Sequence, residues 1–134
     1  VEPSLPRVNG LKRPDGALIL SSSATRTLYQ IALSPNGLPQ GPMTPVVANL
    51  PGADDFAILP EGGYVVATHG DRVVRVGADG AVSTVTEDPR VRGSTAVALV
   101  GDGAARRLAI LGTGGFSEGL GQPAVVLAVA LPTP

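Results

Sequence analysis

Residues 54–86 read DDFAILPEGGYVVATHGDRVVRVGADGAVSTVT, and this stretch decides the fold. Short apolar runs rich in Val alternate with turn clusters: Asp54 to Leu59, then Pro60-Glu61-Gly62-Gly63, then Tyr64 to Thr68 and Arg72 to Val76, then Ala78-Asp79-Gly80 and Ala81 to Thr86. Runs of four to eight residues bounded by Gly, Pro and Asp predict β-strands, and four in succession with short connections predict one antiparallel sheet.

The same order occurs upstream. Val8 to Arg13, Ala17 to Ser22 and Arg26 to Leu33 are strand-like and separated by turn residues, and a weaker strand is expected around Val46 to Leu50. Downstream, Ser94 to Val100, Arg107 to Leu111 and Ala124 to Leu131 give a third unit with no fourth strand. Asn9, Asp54 and Thr95 then stand as matching starts, 45 and 41 residues apart, close to the roughly 40–50 residues of one propeller blade. The chain is therefore read as all-β: three blades of four-stranded antiparallel sheets, part of a six-bladed β-propeller. The repeats span about 8–50, 54–92 and 94–132 within a single unit covering 1–134. No segment has sustained helical spacing. A β-sandwich is the rival, because eleven short strands at this spacing fit one too.

Composition agrees with many short strands. Hydrophobic residues make up 43% of the 134 residues but aromatics only 3%, while 18 Gly and 13 Pro punctuate the apolar runs. A net charge of −1 with interspersed signs gives no basic surface for nucleic acid or an anionic membrane. With no Cys, thiolate chemistry and disulfides are excluded. No apolar run reaches the roughly 20 residues of a spanning helix. A soluble chain, cytoplasmic or secreted, is expected, with the compartment open.

Asn9-Gly10-Leu11, Gly52-Ala53-Asp54-Asp55-Phe56-Ala57, Tyr64-Val65-Val66-Ala67-Thr68-His69-Gly70 and Gly93-Ser94-Thr95-Ala96-Val97-Ala98 together resemble, in their order, the senescence-marker-protein (regucalcin)/gluconolactonase family of six-bladed propellers. That family is distantly similar to strictosidine synthase and paraoxonase. The resemblance implies that Asn9 and Asp54 are metal ligands and that Asp54 also acts as a base. It departs at Asp55, where many relatives have Gly, leaving open which of the two carboxylates faces the channel. The family also uses a Glu from its first blade and commonly an Asn from its third. On this alignment the chain corresponds to blades four to six and carries two of the ligands. The closing strand of the last blade is expected from an N-terminal segment, and residues 1–8, with Pro3 and Pro6, are a poor substitute for it.

The implied function is the C-terminal half of a divalent-metal-dependent lactonase or ester hydrolase, inactive without the other blades. Ca²⁺ is the expected ion, with Mg²⁺, Zn²⁺ or Mn²⁺ as alternatives. Asn and Asp oxygens are hard donors, and a calcium shell needs about six to eight oxygens. The alternatives are a non-catalytic binding or scaffold segment and a cyclase-like propeller enzyme. Expected partners are a small lactone or ester, and either the missing half of the ring or a second copy joined through open edges.

Each residue also has a plainer reading. Asn9 suits a turn before Gly10, and the two aspartates suit a strand start that satisfies backbone donors. His69, the single histidine, is a candidate proton carrier at the end of a strand, although a loop histidine is more often structural. Ser94 and Thr95 lack the pattern of a serine nucleophile. Gly112-Thr113-Gly114-Gly115 lacks the Lys-Ser/Thr of a phosphate loop and reads as a connection.

Overall fold

The computed structural model describes residues 7–115 and 119–131. Residues 1–6, most of the segment judged unsuited to closing the last blade, lie outside this range.

Among the described residues, eleven strands form three antiparallel sheets and almost no helix. The first sheet contains β1 (Val8–Lys12), β2 (Ala17–Ser22), β3 (Thr27–Leu33) and β4 (Pro39–Val47) in that spatial order. The second contains β5 (Phe56–Ile58), β6 (Tyr64–Ala67), β7 (Val73–Val76) and β8 (Val82–Thr86), and the third β9 (Ser94–Val100), β10 (Arg107–Gly112) and β11 (Val125–Ala130). Each sheet is a meander of consecutive strands. Among the described residues the third has three strands where a four-stranded blade is expected, in line with the lack of a fourth strand-like run in its sequence. Two 3-10 turns, Pro89–Val91 and Gly103–Ala105, are the helical content. None is long and apolar enough to cross a membrane.

The strand expected at Val46 to Leu50 is displaced. β4 runs from Pro39 to Val47 and includes three prolines. Proline has no N–H to give to a ladder, so it is confined to edges and irregular pairings. β4 is the outer edge of its sheet and pairs with β3 through two register shifts. Leu50 instead leaves the strand, donates its N–H to Arg26 O (3.1 Å) and is buried between the first two sheets.

Alternation along the strands of the second sheet explains the layering. Phe56, Val66 and Val74 face the first sheet, together with Tyr64 and Val76. Ala57, Val65, Ala67 and Val73 face the third, packing against Val97, Leu108 and Ile110. The second sheet is therefore buried on both faces, which is why the runs YVVA (64–67) and VVRV (73–76) replace the apolar–polar alternation of a half-exposed sheet. We call the face each sheet turns toward its successor the front and the opposite face the back. Each fully buried Val or Phe contributes roughly 1.5–3 kcal/mol, and the strands of this doubly covered sheet hold eight of the eighteen buried hydrophobic residues among those described, more than either neighbour.

The buried charged group on the front of the second sheet is Arg75, paired with Glu61 Oε1 at 3.2 Å, while Glu61 Oε2 accepts from Arg106 Nη1 at 2.8 Å. Glu61 lies in the β5–β6 turn and Arg106 immediately precedes β10, so one carboxylate ties the second sheet to the third. A hydrogen bond with its own backbone, followed by the nearby guanidinium groups, holds the Glu61 carboxyl below its ordinary value of 4.5.

Phe56→Ala is expected to cost about 3–5 kcal/mol in urea unfolding, the range for an emptied aromatic core site. A depressed carboxyl pKa makes the stabilisation fully present above the ordinary carboxylate range and removes it as pH falls below that range. Thermal melts of wild type and Glu61→Gln are therefore expected to differ at pH 7 and to converge under acid conditions. A difference that stays constant with pH would contradict the Glu61 linkage.

Candidate functional site

The first strands of the three sheets bring their opening residues together. Asn9 and Gly10 of β1, Asp54 and Asp55 just before β5, and Thr95 and Ala96 of β9 line one cleft of about 320 Å³. The three positions matched as repeat starts in the sequence are thus neighbours in space.

Backbone packing forces the approach. Gly10 donates its N–H both to Asp54 O (3.0 Å) and to the buried Ser21 Oγ (2.7 Å), and the Ser21 hydroxyl donates to Asp54 O in turn. A Cβ on Gly10 would lie 2.9 Å from both Ser21 Oγ and Asp55 Oδ1, so this site admits no larger residue without displacement. Gly52 acts similarly on the way in, since a Cβ there would stand 2.0 Å from Thr68 O. Pairing continues past the formal end of β5: Asp54 N donates to Ala67 O (2.9 Å) and Ala67 N to Asp55 O (2.8 Å). Both aspartates are thereby held at the mouth of the second sheet.

The two carboxylates differ in their partners. Asp55 is ion-paired with Lys12 Nζ at 2.7 Å and accepts from Val97 N at 3.3 Å. It bridges β1 and β9 as a structural group. Asp54 Oδ2 accepts from Thr95 Oγ1 at 2.7 Å and lies 3.4 Å from His69 Nδ1. Both aspartates border the cleft, but Asp54 is the one grouped with the hydroxyl and the imidazole. His69 is held in the left-handed region (φ 57°) while its N–H donates to Ser94 O at 2.9 Å. A non-glycine residue in that region costs of order 1–2 kcal/mol, and here it sets the imidazole beside Asp54.

Asn9 is exposed and its Nδ2 donates to Ser23 Oγ at 3.0 Å. That engages the nitrogen end of the amide and leaves the oxygen as the end suited to a cation. Asn9 and Asp54 therefore fit a hard divalent ion by donor chemistry, as two ligands on adjacent first strands. Among the described residues no group of three or more His, Asp or Glu side chains is placed to hold a metal, and two oxygen donors alone are fewer than the roughly six to eight a calcium shell takes.

Ser94 and Thr95 separate. Ser94 is buried and its Oγ accepts from Thr68 N at 3.2 Å, a structural role. Thr95 borders the cleft and binds Asp54, although its sequence context gave no catalytic pattern; its place as the third repeat start was the available signal. Ser21 and Lys12 had no such signal, because their roles depend on contacts with residues 33 and 43 positions away. A second pocket, about 310 Å³, is lined by residues including Pro89, Arg90, Leu120 and Pro123, with no carboxylate or imidazole among its described lining. Thr113, Gly114 and Gly115 lie in the β10–β11 connection, as expected, whereas Gly112 is the last residue of β10 and pairs with Val125 and Ser94.

No protein-family model matches the chain, and no curated protein matches it. The residue order and the geometry of the cleft are what a functional reading must work from. Gly10→Ala is expected to lower stability by about 1–3 kcal/mol, the cost of overpacking. Asn9→Ala, at an exposed position, should stay within about 0.5 kcal/mol of wild type. Urea titration of both variants checks this, and equal losses would contradict the distinction between framework and site.

Proposed function

We propose that the three sheets are three blades of a six-bladed propeller, and that the cleft is half of the site of a divalent-metal-dependent hydrolase of lactones or related esters. The observation that carries this reading is the convergence of Asn9, Asp54 and Thr95 on one cleft, with His69 Nδ1 3.4 Å from the Asp54 carboxylate. The motif order shared with the gluconolactonase-like propellers supports it.

In this reading Asn9 and Asp54 offer oxygen ligands, and the other half of the ring provides the rest of the shell. Calcium is the ion best suited to such donors. When bound, it would polarise the substrate carbonyl as a Lewis acid. Thr95 holds Asp54 Oδ2 in a fixed orientation. Asp54 and His69 form the proton-handling pair: a water proton is accepted on this pair as the water oxygen bonds to the carbonyl carbon. The same proton is returned to the alkoxide as the ring C–O bond breaks, giving a hydroxy acid. An imidazole nitrogen can both accept and return a proton, which suits it to both transfers.

Calorimetric titration with Ca²⁺ and turnover of a δ-lactone by the protein with its complete ring test the proposal. Asn9→Ala and Asp54→Ala are each expected to weaken calcium binding by more than the roughly 10–100-fold typical of an outer-shell partner. Asp54→Ala should also abolish turnover. Calcium binding unchanged in both variants would overturn the assignment; binding lost without any lactone turnover in wild type would leave a binding site and refute the hydrolase.

A further inference from the structure

Two of the chain's three asparagines, Asn9 and Asn36, are each followed by glycine. An Asn-Gly pair carries a reaction of its own. The glycine backbone nitrogen bonds to the Asn side-chain carbon Cγ, the bond from Cγ to the amide nitrogen breaks, and ammonia leaves behind a cyclic succinimide. Water then opens the ring at either carbonyl, giving Asp or, where the chain now runs through the side chain, isoaspartate. The balance is Asn plus water to Asp plus ammonia. The attack is fast because nucleophile and carbon are already neighbours, and glycine presents no Cβ to crowd it. The attacking nitrogen must lose its proton and swing toward the side chain, so hydrogen bonds that fix that N–H resist the reaction.

The two pairs have opposite surroundings. Gly10 is buried, and its N–H is held by Asp54 O and Ser21 Oγ together, at 3.0 and 2.7 Å. Swinging that nitrogen breaks both bonds and moves a residue whose Cβ position is already 2.9 Å from Ser21 Oγ and Asp55 Oδ1. The Asn9 amide is itself engaged, through Nδ2 to Ser23 Oγ at 3.0 Å. Asn36, by contrast, is exposed on the turn between β3 and β4. Among the described residues its amide has no hydrogen-bond partner, and one bond, from Gly37 N to Ser34 O at 2.8 Å, restrains the attacking nitrogen. A Cβ at Gly37 would meet only Arg13 Nη2, at 3.7 Å, so the turn has room to move. Bonds of an exposed turn beside an edge strand open at small cost, whereas those of the junction open with the framework. The third asparagine, Asn49, precedes the buried Leu50, whose side chain crowds the attack and whose N–H is held by Arg26 O at 3.1 Å.

We propose that Asn36 is a site of spontaneous deamidation in the folded protein, and that the Gly10–Ser21–Asp54 junction keeps Asn9 from the same reaction. Reaction at Asn36 adds a negative charge at the end of the first sheet, and isoaspartate there lengthens the backbone of the β3–β4 turn by a methylene. Reaction at Asn9 would replace an amide on the cleft by a carboxylate. The junction thus preserves the chemistry of the cleft as well as its shape. Neither assignment depends on a metal or on hydrolysis at the cleft, so each can fail or stand apart from the proposed function.

Incubation of the folded protein in mildly alkaline water enriched in heavy oxygen, followed by tryptic mapping by mass spectrometry, tests both assignments. Each new carboxylate keeps an oxygen from the water present during incubation, so reaction during digestion is not counted. Asn9 lies in the peptide ending at Lys12 and Asn36 in the one beginning at Thr27. The same incubation in urea gives the rate of each pair without structure. In the folded protein Asn36 is expected to react within about tenfold of its urea rate and Asn9 more than about tenfold below its own, a factor equivalent to about 1.4 kcal/mol of protection. Ser21→Ala is expected to raise the Asn9 rate toward its urea value and leave Asn36 unchanged, with retained amide protection in β10 showing that the variant is folded. A folded wild type in which Asn9 reacts as fast as Asn36, or in which Asn36 is protected as much as Asn9, would overturn the proposal, as would a folded Ser21→Ala protein whose Asn9 stays protected.

Discussion

A buried hydroxyl holds the first two sheets in register. Ser21 Oγ accepts the Gly10 N–H and donates to Asp54 O, so one side chain of β2 links β1 to the entry of β5. Burying these groups without partners would cost of order 1–3 kcal/mol each. The contact is possible only because position 10 has no side chain. The next junction follows a similar plan: buried Ser94 accepts the Thr68 N–H through Oγ and the His69 N–H through its carbonyl. Two serines thus set how closely consecutive sheets approach at their first strands, and that closeness places Asn9, Asp54 and Thr95 around one cleft.

The layers depend on the middle sheet. In a two-sheet sandwich one core lies between two sheets, each with a solvated outer face. Here the second sheet has a core on each side, and its β6 and β7 side chains are apolar apart from Arg75, which Glu61 accompanies. A three-layer stack of meanders joined front to back follows. The outer sheets each keep one face turned away from the middle sheet.

Much of this was legible in the sequence because strand and turn chemistry is local. Ten of the eleven strands were expected within a few residues, since Val-rich runs end at Gly, Pro or Asp. β4 was misplaced because Pro39, Pro42 and Pro45 argue against a strand, and only its edge position makes them tolerable. The cleft was legible through repeat register: equivalent starts on consecutive sheets meet, whatever their chemistry. The division of labour between Asp54 and Asp55 was not, because it depends on Lys12, Thr95 and His69 arriving from three other elements. Ser21 and Ser94 look like ordinary strand serines, and their burial is a property of the assembled sheets.

The central claim is that the Gly10–Ser21–Asp54 junction joins the sheets and shapes the cleft. Residue-resolved amide hydrogen exchange by NMR tests it directly. The account predicts that Gly10, despite its exposed neighbour Asn9, exchanges as slowly as the core amides of β6 and β7, and that Ser21→Ala abolishes this protection while leaving β10 protected. A Gly10 amide exchanging at the rate of an open chain in the wild-type protein would contradict it.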